Sequence, residues 1–466
     1  MRHFKGMGVF ACLLAAFGLA ACGGGSYGTN GGGGGGTQSA SVFTIGTDAP
    51  LPSVVSCLVT VSGITLSNGS TDVSVLSSPQ VVDFAQLSGL HQLIDLQSVP
   101  TGTYTSATVT LSAAQIGYID TTQNPPAIST ITGTLSPASA TVTFAKPFVL
   151  QSADLVGLRM EFDLRKSIQV DSSGNVTGVI NPTFEMALRD AADAEVSIDD
   201  FDAGVTSVIS PTMFTVQGPA GRTWTVQTAP TTAMDDPTIP ENTFTTNTIV
   251  SISGTLDRVS HYIDATEVEV VSNDHFVLGG LFTSIRPPSG AATAADLYVR
   301  RELPAINGIN DGDITTLTLD GSEVYRIGHI SLPLTTLLFN NSMLAAGQRV
   351  DVGGKVVTTN GTTTLTPHRV VLRRQGQEGN LHANSVVIQS GNVGSFGLDD
   401  NGTAGVLLPS PLTVMTTNQT IFSGVSGLSG LTGTVPLRVV GYVLVNSQTG
   451  KAVLIATAVE ELTATS

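Results

Sequence analysis

At 466 residues the chain exceeds one ordinary domain, and roughly 100 to 200 residues per domain predicts two to four, each with its own core. Charged residues are 12% of the sequence, against about 25% in a typical soluble protein, while hydrophobic residues reach 41% and glycines number 51. Twenty basic and 36 acidic residues cannot cover the outer faces of many long helices, which excludes a mostly helical fold, and alternating runs of Val, Ile, Leu and Phe exclude disorder throughout.

The chain opens with a positive segment, Arg2 and Lys5, then an apolar run from Val9 to Leu19 and the tetrapeptide Leu19-Ala20-Ala21-Cys22. The run is short for a membrane span, and small residues before a cysteine suit cleavage. These residues resemble a bacterial lipoprotein signal peptide, residues 1–21, which implies lipidation of Cys22 as the first mature residue. Gly23 after the cysteine, in place of an aspartate, implies sorting to the outer membrane, with the face undecided. An ordinary secretory signal with an incidental cysteine is the alternative. Removal of residues 1–21 takes two basic residues and no acid, lowering the net charge from −16 to −18. That balance disfavours nucleic acid as a partner, because phosphate affinity needs clustered Lys and Arg, and it leaves membrane attachment to the lipid. Residues 22–40, with Gly31 to Gly36 unbroken, read as a flexible tether. Of the three cysteines, only Cys57 would remain as a thiol, in the strand-like run Val54 to Val61, where it reads as a small buried hydrophobe.

Residues 41–190 alternate as strands do. Val59, Val61 and Ile64 share one period. Asp83 to Leu87 reads as a short helix or turn, Leu158 to Arg165 alternates apolar with charged residues for eight positions, and Asp171 to Asn175 reads as a hairpin turn. Thr47-Asp48-Ala49-Pro50, followed some fifty residues later by Val99-Pro100-Thr101-Gly102-Thr103-Tyr104-Thr105, resembles the N-terminal domain of unknown function of many bacterial lipoproteins. The resemblance implies an immunoglobulin-like or transthyretin-like β-sandwich and carries no catalytic or ligand-binding residue. Pro100 and Gly102 turn the chain, and Tyr104 can pack at a strand start.

Six carboxylates crowd residues 190–202, among them Asp199, Asp200 and Asp202. Calcium is the functional candidate, since hard cations take several carboxylate oxygens, but the spacing is not that of an EF-hand loop, and a solvated linker or strand edge explains the same residues. Asp311-Gly312-Asp313 and Asp399-Asp400-Asn401-Gly402 raise the same idea and fit plain turns. Further on, Val250 to Leu256, Val350 to Val356 and Leu437 to Val443 share a β-branched alternation with glycine at the fifth position, and each is followed by a closing strand. The repeat predicts three modules, 203–273, 276–375 and 382–463. A glycine recurring inside a strand signals a bulge or tight coil that lets a small sheet close. The fold class expected is therefore all-β: an immunoglobulin/transthyretin-like sandwich followed by three small OB-like β-barrels.

His91, His261, His275, His329, His368 and His382 are scattered without a zinc-binding pattern, and there is no phosphate-binding loop, so no cofactor is expected. Trp224, the one tryptophan, is a weak candidate for a sugar platform, with core packing as the competing reading. The function expected is a non-catalytic, lipid-anchored envelope protein that serves binding, adhesion or assembly, with an envelope protein or glycan as partner. The alternative is an envelope hydrolase acting on glycans or peptides with carboxylates such as Asp199, Asp200 or Asp399; a third reading is a calcium-stabilised structural protein.

Overall fold

The computed structural model describes residues 38–462 except 50, 52, 124–126, 191–196, 219–220, 235–243, 245–247, 258, 273–275, 328–334, 360–361, 401–406 and 434. Cys22, the preceding segment and residues 23–37 of the tether lie outside the described residues, as do His275 and His329, while Ser39 and Ala40, read as the end of the tether, already belong to the first strand. Among the described residues the chain is all-β, relieved by one four-residue α-helix, Leu164–Ser167, and short 3-10 turns.

Two larger sheets and a small three-stranded one, made of Ile168–Val170, Val176–Ile180 and Thr134–Leu135, build the N-terminal part. In the first, Ser39–Ala49 pairs in parallel with Leu155–Asp163 and antiparallel with Gln92–Pro100, and Phe184–Asp190 completes the edge. In the second, the long strands Val54–Ser67 and Gly102–Asp120 carry four shorter ones. Val42, Leu158, Met160 and Phe162 from the first sheet meet Val59, Val61, Ile64 and Ile116 from the second in one core. Phe162 stacks on Phe184 at 4.6 Å between ring centroids and meets Phe84 edge-on at 5.0 Å. Tyr104 acts as the sequence suggests: its ring is buried and its hydroxyl donates to the Pro100 carbonyl at 2.9 Å, fastening the turn to the strand it starts. Cys57 is fully buried.

The alternating run from Leu158 departs from expectation at its end. The strand stops at Asp163, whose carboxylate accepts from the Lys166 backbone N–H at 3.0 Å and caps the short helix, so Arg165 lies in the helix. Arg159 pairs with Glu161 along the strand, at 2.6 Å.

The first sheet is buried on both faces. Phe43 and Ile45 point away from the N-terminal core and join Phe201, Phe214, Trp224 and Val250 of the next segment in a second core. That segment begins at Ile198, five residues before the boundary read from the sequence. Its strands run Ile198–Ser210, Met213–Gln217, Thr223–Gln227, Ile249–Leu256 and Ile263–Ser272. The first pairs with the second and fourth, the second with the third, the fourth with the fifth, and the third and fifth meet in parallel, so the pairings close into a ring. Residues 375–461 repeat that closed order with Gln375–Leu381, Val393–Asp400, Leu412–Ser423, Leu437–Asn446 and Ala452–Glu461. In residues 276–372 the third strand is split into Ile314–Thr318 and Val324–Ile327, and only the latter pairs in parallel with the last strand, Thr362–Leu372. Leu337–Leu338 of this middle segment pairs with Leu437–Asn446 of the last ring.

The recurring glycine has one physical role in all three places. A register shift falls at Gly254, Gly354 and Gly441, and a Cβ there would collide with the carbonyl oxygen of Asp264, Thr366 or Ile455 on the partner strand. Only glycine allows the two backbones that close, which is how the strand coils sharply enough to turn back on itself.

Neighbouring parts also share apolar contacts. Val55 and Ile119 of the N-terminal part meet Leu281 and Tyr298 of the middle segment, Ile249 and Val271 meet Val277 and Val371, and Tyr442, Leu444 and Ile455 join the middle segment's core. The described residues accordingly form one compact unit.

Candidate functional site

Charge is scarce in this chain, and its two Arg-Arg pairs are buried or half-buried. Arg300-Arg301 ends a strand of the middle segment, Arg373-Arg374 links that segment to the last ring, and Arg349 opens a strand between them. They meet the acidic stretch at 199–202. A register shift between Ile198 and Phe201, with Asp200 at a φ of +48°, bulges the strand there and aims adjacent carboxylates toward the arginines.

The resulting hub is dense. Arg374 reaches Asp199 at 3.0 Å and Asp200 at 3.5 Å, and Arg349 reaches Asp200 at 3.4 Å. Arg373, only 1% exposed, pairs with Asp202 at 3.0 Å, with Asp351 at 2.8 Å and with Glu269. Arg301 pairs with Asp202 and, at 3.2 Å, with Asp351. Burying such charges is favourable only when each finds partners, and the cluster joins residues of the first ring, the middle segment and the link to the last ring. Burial alone would push the Asp200 carboxyl up, but the guanidiniums of Arg373, Arg374, Arg349 and Arg301 outweigh it and hold the group well below the usual carboxylate range. Asp202 is pushed up by burial and by Asp351, against the pull of Arg301 and Arg373.

Beside the hub lies a cavity of about 230 Å³ between the N-terminal part, the first ring and the middle segment. Its walls include Asp83, Arg300, Arg301, Asp311 and Arg349 and an apolar side of Leu58, Leu87, Leu90 and Leu303. Burial, with Glu302, Asp83 and Asp313 nearby, pushes the Asp311 carboxyl up to about 6. A second cavity of about 160 Å³ shares Arg300 and Arg349 and runs toward Glu378. There Arg438 pairs with Glu378 at 2.8 Å and donates to the Asp48 carbonyl at 3.3 Å.

The residues singled out from sequence fall as follows. Asp199, Asp200 and Asp202 are partly or fully buried and engaged by arginines, which corrects the reading of this stretch as a solvated linker; among the described residues no three acidic, histidine or cysteine side chains converge as a metal site would require. Trp224 is 5% exposed, edge-on to Phe201 at 6.2 Å with the Arg222 guanidinium 4.7 Å from its ring centre, so the ring packs in the core and corrects its candidacy as a platform. Asp311 lies at the cavity, whereas Asp313 accepts from Asn310 as a turn residue does. Asp399 pairs with His382 at 2.9 Å, and Asp199 with His91 at 3.2 Å. The residues that sequence reasoning passed over are the arginines. Their signal was available: two Arg-Arg pairs set in strand-like sequence, in a chain that otherwise spares charge.

The fold of the TDAP-bearing segment and its Tyr104 fastening now meet a family. Residues 41–182 match the DUF4382 family, a domain of unknown function. The match spans both Thr47-Asp48-Ala49-Pro50 and the turn at Pro100, and ends before the acidic bulge. No curated protein matches the chain.

Proposed function

We propose that this protein is a non-catalytic scaffold of the cell envelope, anchored by a lipid on Cys22, in which an immunoglobulin- or transthyretin-like sandwich and three OB-like barrels form one rigid body. The closed order of the strand pairings in the first and last rings, with parallel third and fifth strands, is the support for the barrel assignment. The observation that carries the scaffold reading is the buried hub: Arg373, Arg374 and Arg349 engage Asp199, Asp200 and Asp202, two of the three acids that the hydrolase alternative would use among them, in joining the parts. A rigid array of small β-modules presents a broad, fixed outer surface to an envelope protein or glycan, and its net acidity suits neither nucleic acid nor an anionic membrane face.

Calorimetry of the mature chain tests the rigid body, with a single cooperative transition expected; separate melting of the rings would overturn it. Labelling of cells with an alkynyl fatty acid tests the anchor, with incorporation expected and lost in Cys22→Ser. Protease shaving of intact cells, with a periplasmic protein as leakage control, then tells whether the partner lies outside the cell or within the envelope.

A further inference from the structure

The cavity of about 160 Å³ is lined by the N-terminal part, the middle segment and the last ring, and its charge runs against that of the chain. The whole sequence carries −16, yet three arginines, Arg165, Arg300 and Arg349, line this space with a single acid, Glu378. Glu378 is already engaged, its Oε1 accepting from Arg438 Nε at 2.8 Å. The three arginines keep donors in reserve. Arg165 Nη2 stands 3.7 Å from Glu378 Oε2, beyond hydrogen-bond range, and its side chain is 45% exposed. Arg300 donates through Nη2 to the Val55 carbonyl, with Asp83 3.6 Å from its Nε, and Arg349 donates through Nη1 to Asp200 and to the Arg374 carbonyl. Among the described residues no acceptor meets Arg300 Nη1 or Arg349 Nη2, and the two side chains stay 8% and 7% accessible, so these donors are not sealed off. Burial pulls the Arg300 and Arg349 guanidiniums down and the acids beside them do not make it good, whereas for Arg301, Arg373, Arg374 and Arg438 the neighbouring acids outweigh burial. Arg300 and Arg349 also line the larger cavity, but there six acids accompany three arginines, so an anion is favoured only on this side.

We propose that this cavity binds a small organic carboxylate of about the size of benzoate, its oxygens accepting from the open N–H groups of Arg165, Arg300 and Arg349. A guanidinium presents paired donors that match a carboxylate, and charge-assisted bonds to it offset the cost of burying arginines without full partners. The remaining lining includes Leu51, Leu281 and Leu407, and a cavity of roughly 150 Å³ admits a benzene ring. The inference stands apart from the scaffold reading, since the cavity takes its ligand whatever the outer surface binds.

Isothermal titration calorimetry of the mature chain, in about 150 mM NaCl and a buffer free of carboxylate and phosphate, provides the test. An acidic protein repels anions in general, so saturable binding of sodium benzoate reports a local site; it is expected, and benzyl alcohol and benzylamine should not bind. Arg165→Gln should weaken benzoate binding about tenfold or more, with Arg165→Lys recovering part of the loss, and because Arg165 is half exposed both variants should melt as the parent does. Leu407→Trp, which fills the space without touching a charge, should weaken binding as well and decides the matter if Arg165→Gln does not fold. Equal binding of benzyl alcohol would reduce the cavity to an apolar pocket, and inorganic phosphate binding as tightly as benzoate would overturn the assignment to an organic ligand. Benzoate binding untouched by Arg165→Gln and Leu407→Trp would place the site elsewhere, and the absence of saturable benzoate binding would sink the proposal.

Discussion

Asp200 and Asp48 are both buried acids, and the molecule treats them in opposite ways. Asp200 sits in the hub, where four guanidiniums hold it ionised. Asp48, fully buried in the TDAP element, has two carboxylate oxygens that accept no hydrogen bond, and Arg438 reaches its backbone carbonyl and not its side chain. Burial therefore drives the Asp48 carboxyl well up, toward the neutral form, with Arg438 pulling the other way. The difference teaches that burial does not set the state of an acid here; what the neighbouring part of the fold brings to it does. The hub is a joint between parts and needs its charges, whereas the Asp48 corner holds an acid whose charge is a liability.

The sharpest way to break this contrast is Arg373→Met. It strands Asp202, Glu269 and Asp351 without their common partner, and a loss of about 3–5 kcal/mol in urea denaturation is expected. A loss under about 1 kcal/mol would show that the hub does not bear on stability. Gly441→Ala acts on the strand that carries Arg438 to the Asp48 corner; it should cost about 1–3 kcal/mol, while Gly204→Ala, where a Cβ meets open space, should be near neutral by the same measurement. Tyr104→Phe removes the hydrogen bond to Pro100 and should cost about 1 kcal/mol.

Asp48→Asn has the smallest expected effect, and it is a pH effect. Because the folded carboxyl titrates above its unfolded value near 3.8, the folded state holds the proton more tightly, and stability falls as pH rises from about 4 through the folded value. Asn cannot ionise, so the variant should match the parent near pH 4 and exceed it at pH 8 when melting temperatures are compared across that range. A variant that is less stable at pH 8 would mean that the Asp48 charge is used after all.

Much of the architecture was legible in one dimension because its causes are local. The two-residue steps from Val59 to Val61 and from Ile64 to Leu66, on either side of a register shift, report a strand that feeds the core, and glycine at the fifth position of three similar strands reports a backbone approach that no Cβ survives. The site was less legible. Asp199, Asp200 and Asp202 stood out as a cluster, but whether such a cluster faces water, calcium or arginine depends on residues up to 175 positions away, as the Arg374 to Asp199 contact does. Asp311 looked like a turn residue because its sequence neighbours are a turn; only the fold sets it at the cavity beside Asp83.

By itself, then, the sequence determined an all-β chain with an acidic balance, a TDAP-bearing first part and a repeated glycine-bulged strand, since periodicity, composition and steric exclusion act between near neighbours. The tertiary structure decided which acids are charged, that Trp224 packs inside, that the first sheet is buried on both faces, and that a cavity lined by acids and arginines opens beside the hub. Those outcomes depend on desolvation and on partners from distant segments, and neither exists until the parts have closed on one another.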